Sequence, residues 1–333
     1  MLGPFRPLYD YAESNEPSPP TPEQRRELEK AKEPHIIISY YAPSIGTDAT
    51  GENVVYVLKQ IRWSVNLKNE DHWFLSSLNS SGGARREIRE IENRYDGRNL
   101  PWFPPGYMEI NSEASLGIFG NGEYMLVFRL SGTSIRYFDC QGWKEVGHPW
   151  RFSAPALSPD GKWIAFVEEI CPKGPYGGGS YHRVAKCRLD GSEYAVLTKF
   201  EGYRNNIQPA WSPDGNSIAY ICPNNDELRV MDVDGNIKWT FHSFQPRNPR
   251  WSPDGKFLLL NGKIVVDVAS GKMIRKLNPP LSEWARWGRG GYLVPQKDGV
   301  DFVELDGKTT HRLLQNVSRL AKRSDINKEE FRW

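Results

Sequence analysis

Ser158-Pro159-Asp160-Gly161, Ser212-Pro213-Asp214-Gly215 and Ser252-Pro253-Asp254-Gly255 are one tetrapeptide written three times, at intervals of 54 and 40 residues. Each copy follows a large apolar residue (Leu157, Trp211 or Trp251) and precedes an apolar run: Trp163 to Val167, Ile218 to Ile221, Phe257 to Leu260. Proline pre-sets the first corner of a tight turn, aspartate bonds neighbouring amides, and glycine accepts a left-handed backbone. Between apolar runs such a turn joins two antiparallel strands. The runs are apolar at successive positions, so both faces of each strand must be covered. A ring of small sheets, each held between two neighbours, meets that demand by radial repetition.

A second marker is a glycine that closes a later hydrophobic strand, at Gly142, Gly191, Gly235, Gly271 and Gly307. From first-turn to second-turn glycine the distance is 20 residues (Gly122 to Gly142), 30 (Gly161 to Gly191), 20 (Gly215 to Gly235), 16 (Gly255 to Gly271) and 16 (Gly291 to Gly307). Fixed ends around a variable middle place the variation in one inner loop. The expected fold is all-β: a six-bladed β-propeller of four-stranded antiparallel blades over 34–316. A Pro-rich tail with a short charged helix (Glu23 to Glu33) occupies 1–33, and a charged C-terminal tail, helical at best, occupies 317–333. Ile36–Tyr41 is either the inner strand of the first blade or an outer strand of the sixth, so the way the ring closes stays open.

The stretch Pro155-Ala156-Leu157-Ser158-Pro159-Asp160-Gly161-Lys162-Trp163-Ile164-Ala165-Phe166 resembles the repeat of TolB-like propellers, also called WD-repeat-like β-propeller repeats. Pro209-Ala210-Trp211-Ser212-Pro213-Asp214-Gly215 and Pro249-Arg250-Trp251-Ser252-Pro253-Asp254-Gly255 are similar to it as well. The resemblance implies the propeller fold. Its members include scaffolds that bind partners by a propeller face, propeller domains that gate serine peptidases, and some sugar lyases.

Lys plus Arg number 43 against 41 Asp plus Glu, so no global field argues for nucleic acid or a membrane surface. Met1 to Asp10 has no charged segment followed by an apolar core, and no stretch is long enough to span a bilayer. A soluble cytoplasmic protein is expected, with the periplasm as the alternative. The four cysteines, Cys140, Cys171, Cys187 and Cys222, form no metal-binding spacing. Buried thiols are expected, with a Cys171–Cys187 bridge as the alternative.

Catalytic signatures are missing. The repeated aspartates sit where a turn requires them. Six histidines are scattered, without the paired spacing that seeds a metal centre, so neither cofactor nor metal is expected. No G-x-S-x-G occurs, and Gly177-Gly178-Gly179-Ser180 lacks the lysine and helix of a phosphate loop. Glu168 and Glu169 alternate to opposite faces of a strand and cannot converge on one substrate.

The stronger signal is an asymmetry between the two sides of the ring. The tight turns share one side, and the long connections gather on the other. That second side is expected to carry Arg94, Tyr95, Arg98, Trp102, Phe103 and Tyr107, then Lys173 and Tyr176, then Tyr203 and Arg204, and finally Arg247. Arginine with aromatic residues is the composition of an interface centre. Trp102 and Phe103 can equally plug the loops that carry them. Two functions follow. One is a non-catalytic scaffold that docks a protein or peptide, alone or within a larger assembly. The other is a hydrolase or lyase acting on a saccharide or small molecule at the channel mouth. The loop charge excess is too small for a phosphate-tracking groove, so nucleic acid is not expected.

Overall fold

A computed structural model describes residues 7–12, 35–47, 53–65, 68–79, 86–91, 94–95, 98–99, 108–110, 116–120, 124–129, 134–139, 151–170, 181–189, 191–198, 206–288, 290–315 and 317–320. Nearly all of them are strand or tight turn. β1 (Pro7–Ala12) comes first, then β2 (His35–Thr47), β3 (Asn53–Val65), β4 (Lys68–Asn79) and β5 (Arg86–Ile91). A small ribbon of β6 (Arg94–Tyr95) and β7 (Arg98–Asn99) precedes β8 (Met108–Ile110), β9 (Leu116–Gly120), β10 (Tyr124–Arg129) and β11 (Ser134–Asp139). Next are β12 (Arg151–Leu157), β13 (Trp163–Ile170), β14 (Tyr181–Arg188) and β15 (Ala195–Val196). They are followed by β16 (Ile207–Trp211), β17 (Ser217–Cys222), β18 (Glu227–Asp232) and β19 (Ile237–His242), with a single 3-10 turn at Pro223–Asn225. The described chain ends with β20 (Arg250–Trp251), β21 (Phe257–Leu260), β22 (Ile264–Asp267), β23 (Lys272–Lys276), β24 (Arg286–Gly288), β25 (Gly291–Gln296), β26 (Gly299–Glu304), β27 (Thr310–Gln315) and β28 (Val317–Leu320).

The strands pair antiparallel with their sequence neighbours, giving four-stranded sheets β12–β15, β16–β19, β20–β23 and β24–β27. Before these stand two sheets built on β2–β5 and on β8–β11, each extended to five strands by an end of the chain. The expectation of all-β architecture from four-stranded antiparallel units is met.

The core lies in the seams between sheets. Ile164 and Phe166 of β13 pack with Ile118 of β9, whereas Ala165, between them in sequence, packs with Ile218 and Tyr220 of β17. Ala219 and Ile221 then meet Leu258 and Leu260 of β21. Leu259 meets Tyr292 and Val294 of β25, and Leu293 meets Val55 and Val57 of β3. Alternate residues of each apolar run therefore serve opposite seams, which is why the runs have no polar face. Contacts of β2 with β8 on one side and with β24 to β27 on the other bring the first sheet between the second and the last.

The three Ser-Pro-Asp-Gly turns are built alike. The serine hydroxyl donates to its aspartate (Ser158 to Asp160 Oδ1 2.6 Å, Ser212 to Asp214 Oδ1 2.5 Å, Ser252 to Asp254 Oδ1 2.6 Å). Each aspartate also accepts the amide two residues on, at 3.1, 3.0 and 3.1 Å. Each serine oxygen accepts a further amide, from Trp163, Ser217 or Phe257, at 2.9 Å. The turn glycines Gly161, Gly215 and Gly255 have φ of 66°, 72° and 71°, the left-handed region the sequence demanded.

The chain ends depart from expectation. Val317–Leu320, assigned to a charged tail that is helical at best, is a strand: β28 pairs with the start of β2, His35 opposite Leu320 and Ile38 opposite Val317. Ile36–Tyr41 is thus part of the first strand of the first sheet, and its outer edge is filled from the C-terminal side. Pro7–Ala12, assigned to the N-terminal tail, pairs with β11 in the second sheet, with Tyr11 opposite Ile135. Both corrections have one cause. An open strand edge presents unpaired amides and carbonyls, and a nearby extended segment satisfies them regardless of its own weak pattern. The helix expected at Glu23 to Glu33 lies outside the described residues.

Burial raises the carboxyls of Asp160 and Asp214, but the serine and amide bonds outweigh it and hold each below the ordinary carboxylate range; in Asp254 the serine bond is the largest influence. A carboxyl lowered by folding contributes stability that is complete above its unfolded value, about 3.9, and is lost as pH falls through the folded value. Asp214→Ala should therefore cost about 1 kcal/mol near neutral pH, read as a lower urea midpoint at unchanged slope. The gap between wild type and variant should close in acid, and a gap undiminished well below the unfolded value would refute the assignment.

Candidate docking interface

The Ser-Pro-Asp-Gly turns and the later glycine turns lie at one end of the strands, but the described loops at the other end include tight turns as well as longer connections. Leu189, in the turn after β14, donates its amide to Lys162 O in the turn after β12, and in the β20–β23 sheet Val268 likewise donates to Lys256 O. First and second tight turns therefore lie together. At the opposite ends of the strands lie the Pro223–Asn225 turn, the Asn261-Gly262 turn and the connections from β19 to β20 and from β23 to β24.

The connection Ser243-Phe244-Gln245-Pro246-Arg247-Asn248 is fastened from three directions. Asp226 accepts the Ser243 amide on its carbonyl and the Gln245 amide on Oδ1, both at 2.8 Å. Asn261 accepts the Arg247 amide on Oδ1 at 2.6 Å, donates Nδ2 to Gln245 O at 3.0 Å and donates its own amide to Arg247 O at 3.0 Å. Asn248 exchanges two 2.8 Å bonds with the Gln208 side chain of β16 and donates to Glu283 O at 3.2 Å. That last chain of contacts links three successive sheets at their first strands.

The backbone here is unusual. Gln208, Asp226, Gln245, Asn248 and Asn261 all have φ between 44° and 55°. The side chains that clamp the connection belong largely to residues in this conformation. Such backbone persists only where surrounding contacts over-determine it, and it concentrates at functional sites. Phe244, with both sequence neighbours tied to Asp226, is 79% exposed, the most exposed large apolar side chain among the described residues. His242 and Arg247 are exposed as well.

Several carboxylates of the sheets are held in ion pairs. Arg229 donates Nη2 to Glu227 Oε2 at 2.6 Å, and Glu227 is 9% exposed. Burial opposes the charge of Arg229, but bonds to Tyr220 and Glu227 prevail and raise its pKa; burial likewise raises Tyr220. Glu168 is fully buried and accepts Arg183 Nε and the Tyr194 hydroxyl on the same oxygen, at 2.5 and 2.9 Å. Asp301 accepts Arg312 Nε at 2.5 Å. Each of these carboxylates is paired within the fold, although Glu168 Oε1 is buried without a hydrogen-bond partner among the described residues. Among the described residues no group of three or more His, Cys, Asp or Glu side chains is placed to hold a metal, and no helix is long and apolar enough to cross a membrane. Cys187 and Cys222 are buried thiols.

Of the residues expected to form the interface, Arg247 lies on the clamped connection. Arg94, Tyr95 and Arg98 belong to the β6–β7 ribbon, where Tyr95 is opposite Arg98. Trp102, Phe103, Tyr107, Lys173, Tyr176, Tyr203 and Arg204 lie outside the described residues, as does Cys171. Phe244 went unnoticed beside Arg247. The available signal was a lone aromatic between Ser243 and Gln245 in a segment that already carried arginine.

No family model matches the sequence. Over 125 residues the chain is 26% identical to the uncharacterized peptidase YuxL of Bacillus subtilis (strain 168), covering 36% of this chain and 18% of that protein. Over 108 residues it is 30% identical to the Tol-Pal system protein TolB of Hydrogenovibrio crunogenus (strain DSM 25203 / XCL-2), covering 31% of this chain and 22% of that one. Both matches thus span less than a quarter of the relative. Among solved structures, TolB from Acinetobacter baumannii is similar with a TM-score of 0.46 at 13% identity, over 85% of this chain and 80% of that one. The sequence likeness to TolB covers about a third of the chain.

The Gln208–Asn248 exchange makes a measurable claim. Gln208→Ala and Asn248→Ala should each destabilise the fold, and the double variant should lose less than their sum, with a coupling of about 1 kcal/mol. Additive losses in urea unfolding would show that the two amides act separately.

Proposed function

We propose that the chain is a closed propeller of six blades over 34–316, with strands from either end completing its first two sheets. Its work is to dock a protein partner on the side of the long connections. The observation that carries this reading is the contrast between the two sides. The turn side is made of short loops whose polar groups are satisfied locally. The opposite side holds a connection fixed by three sets of hydrogen bonds, yet leaves Phe244, His242 and Arg247 in solvent. Rigid display of an aromatic and an arginine lowers the cost of association and matches the composition of binding centres.

Arg94, Tyr95, Arg98, Trp102, Phe103, Tyr107, Lys173, Tyr176, Tyr203, Arg204 and Arg247 make up the proposed interface. All but Arg247 precede the clamped connection in the chain, and the proposal sets them on the same side. The partner is a protein or peptide, with the propeller as one subunit of its assembly. The cytoplasm is the proposed compartment and the periplasm the alternative.

A scaffold of this kind has a direct test. The variant Arg98→Ala/Trp102→Ala/Arg204→Ala should lose its partner in recovery from the native source, while Lys308→Ala on the turn side should retain it. Unchanged recovery of the triple variant would remove this face from the proposal. Stoichiometric metal in the purified protein, or turnover of a saccharide, would replace docking with catalysis at the channel mouth.

A further inference from the structure

We propose that Phe244 is the anchor of the docking side, and that its partner is a folded protein offering an apolar pocket with a carboxylate at its rim. The inference rests on the docking reading above and adds to it an anchor, a shape and a charge.

The anchor follows from how the side chain is held. Asp226 grips the amides on either side of Phe244 through two different oxygens. Two residues further on, Asn261 ties both Gln245 and Arg247. A connection that merely had to join β19 to β20 has no need of such fastening around an exposed ring. The backbone is ordered before any partner arrives, so association need not order it again.

The shape follows from the ring being a projection. A phenyl group 79% exposed on a fixed loop buries its surface only in a concavity. An extended peptide offers a row of side chains, whereas a folded surface offers a walled pocket, so the occupant is a folded protein. The charge follows from the connection itself. Between Ser243 and Asn248 the one ionised side chain is Arg247, which is exposed. The nearby acids Asp226 and Glu227 are engaged inside the clamp and with Arg229. A carboxylate on the partner's rim would face an arginine with no acid beside it in the connection.

A photoreactive phenylalanine analogue placed in the full chain at 244, at 204 or at 305 (Leu305 being an exposed residue on the turn side) would trap the partner in cells. The trapped protein, purified, would then be titrated against the intact chain and its variants. The expected result is an adduct at 244 to a different protein that binds the intact chain. Its affinity should fall by about 30-fold or more with Phe244→Ala. It should weaken with Arg247→Glu, and with Asp226→Ala, which loosens the clamp without touching the partner. Leu305→Ala should change nothing. Adducts at 204 with full affinity in Phe244→Ala would overturn the anchor and leave the docking side standing. Adducts from 305 alone would overturn both. An adduct to a second copy of this chain, with self-association lost in Phe244→Ala, would overturn the assignment to a separate folded partner.

Discussion

From β16 onward, two kinds of contact run from an inner turn to the sheet before it. The glycine of one Ser-Pro-Asp-Gly turn lies over the proline of the preceding turn. A methyl at Gly215 would stand 3.8 Å from Pro159 Cδ, and one at Gly255 would stand 3.7 Å from Pro213 Cδ. The tryptophan just before the turn donates its indole N–H backward, Trp251 to Ala210 O and Trp287 to Arg250 O, both at 3.0 Å. The tetrapeptide is thus more than a hairpin: its serine and aspartate hold the turn, and its proline and glycine stack it. Neither contact is made everywhere: in the decayed turn before β25, a methyl at Gly290 would meet nothing within 4 Å. Trp211 Nε1 is buried without a partner among the described residues, in the seam where the preceding sheet carries Leu157 in place of tryptophan. There the seam relies on apolar packing, with Lys186 Nζ donating to Val233 O at 2.6 Å across the outer part.

The outer turns follow the same logic with less room. A methyl at Gly235 would come within 2.5 Å of Leu197 O, so this turn approaches the backbone of the preceding sheet and tolerates no side chain. A methyl at Gly271 would stand 3.4 Å from the Trp239 ring. The glycine that closes each hydrophobic strand in the sequence therefore marks a seam contact as well as a turn. This is why the second marker recurs even where the first has decayed to Gly288-Arg289-Gly290-Gly291.

What could be read from the sequence was whatever repeats. Leu157, Trp211 and Trp251 announce the seams, and Ser158, Ser212 and Ser252 announce the turns, because each is fixed by a local rule applied several times. The terminal strands could not be read that way. Val317-Ser318-Arg319-Leu320 pairs with β2 because β2 has a vacant edge, and Pro7–Ala12 pairs with β11 for the same reason. An edge is a property of the assembled sheet, and nothing local in either segment records it. The clamp was hidden for a related reason. Asp226, Asn261 and Gln208 lie far from the connection in sequence and meet it only once neighbouring sheets stand side by side. Arginine in a long connection could be noticed from composition, but the fastening that makes its neighbour Phe244 rigid could not.

The strain around the connection is where the two halves of the molecule's economy meet. Residues other than glycine in left-handed backbone cost about 1–3 kcal/mol each, less for Asn and Asp. Gln208 and Asn248 occupy the same place in successive repeats, just before Pro209 and Pro249, and there the distortion recurs as a bulge at the start of the inner strand. Ala154 stands at that place before Pro155, with φ of 47° and a matching register shift. Gln208, Asn248 and Ala154 are therefore explained by the architecture. Asp226 caps the Pro223–Asn225 turn, and Asn261 with Gly262 forms the hairpin between β21 and β22, so their left-handed backbone is turn geometry. With Gln245, their bonds converge on the segment that exposes Phe244. Strain that belongs to the ring needs no ligand to account for it. Of the three, only Gln245 carries strain that neither a turn nor the repeat accounts for, and it adjoins the aromatic left in water.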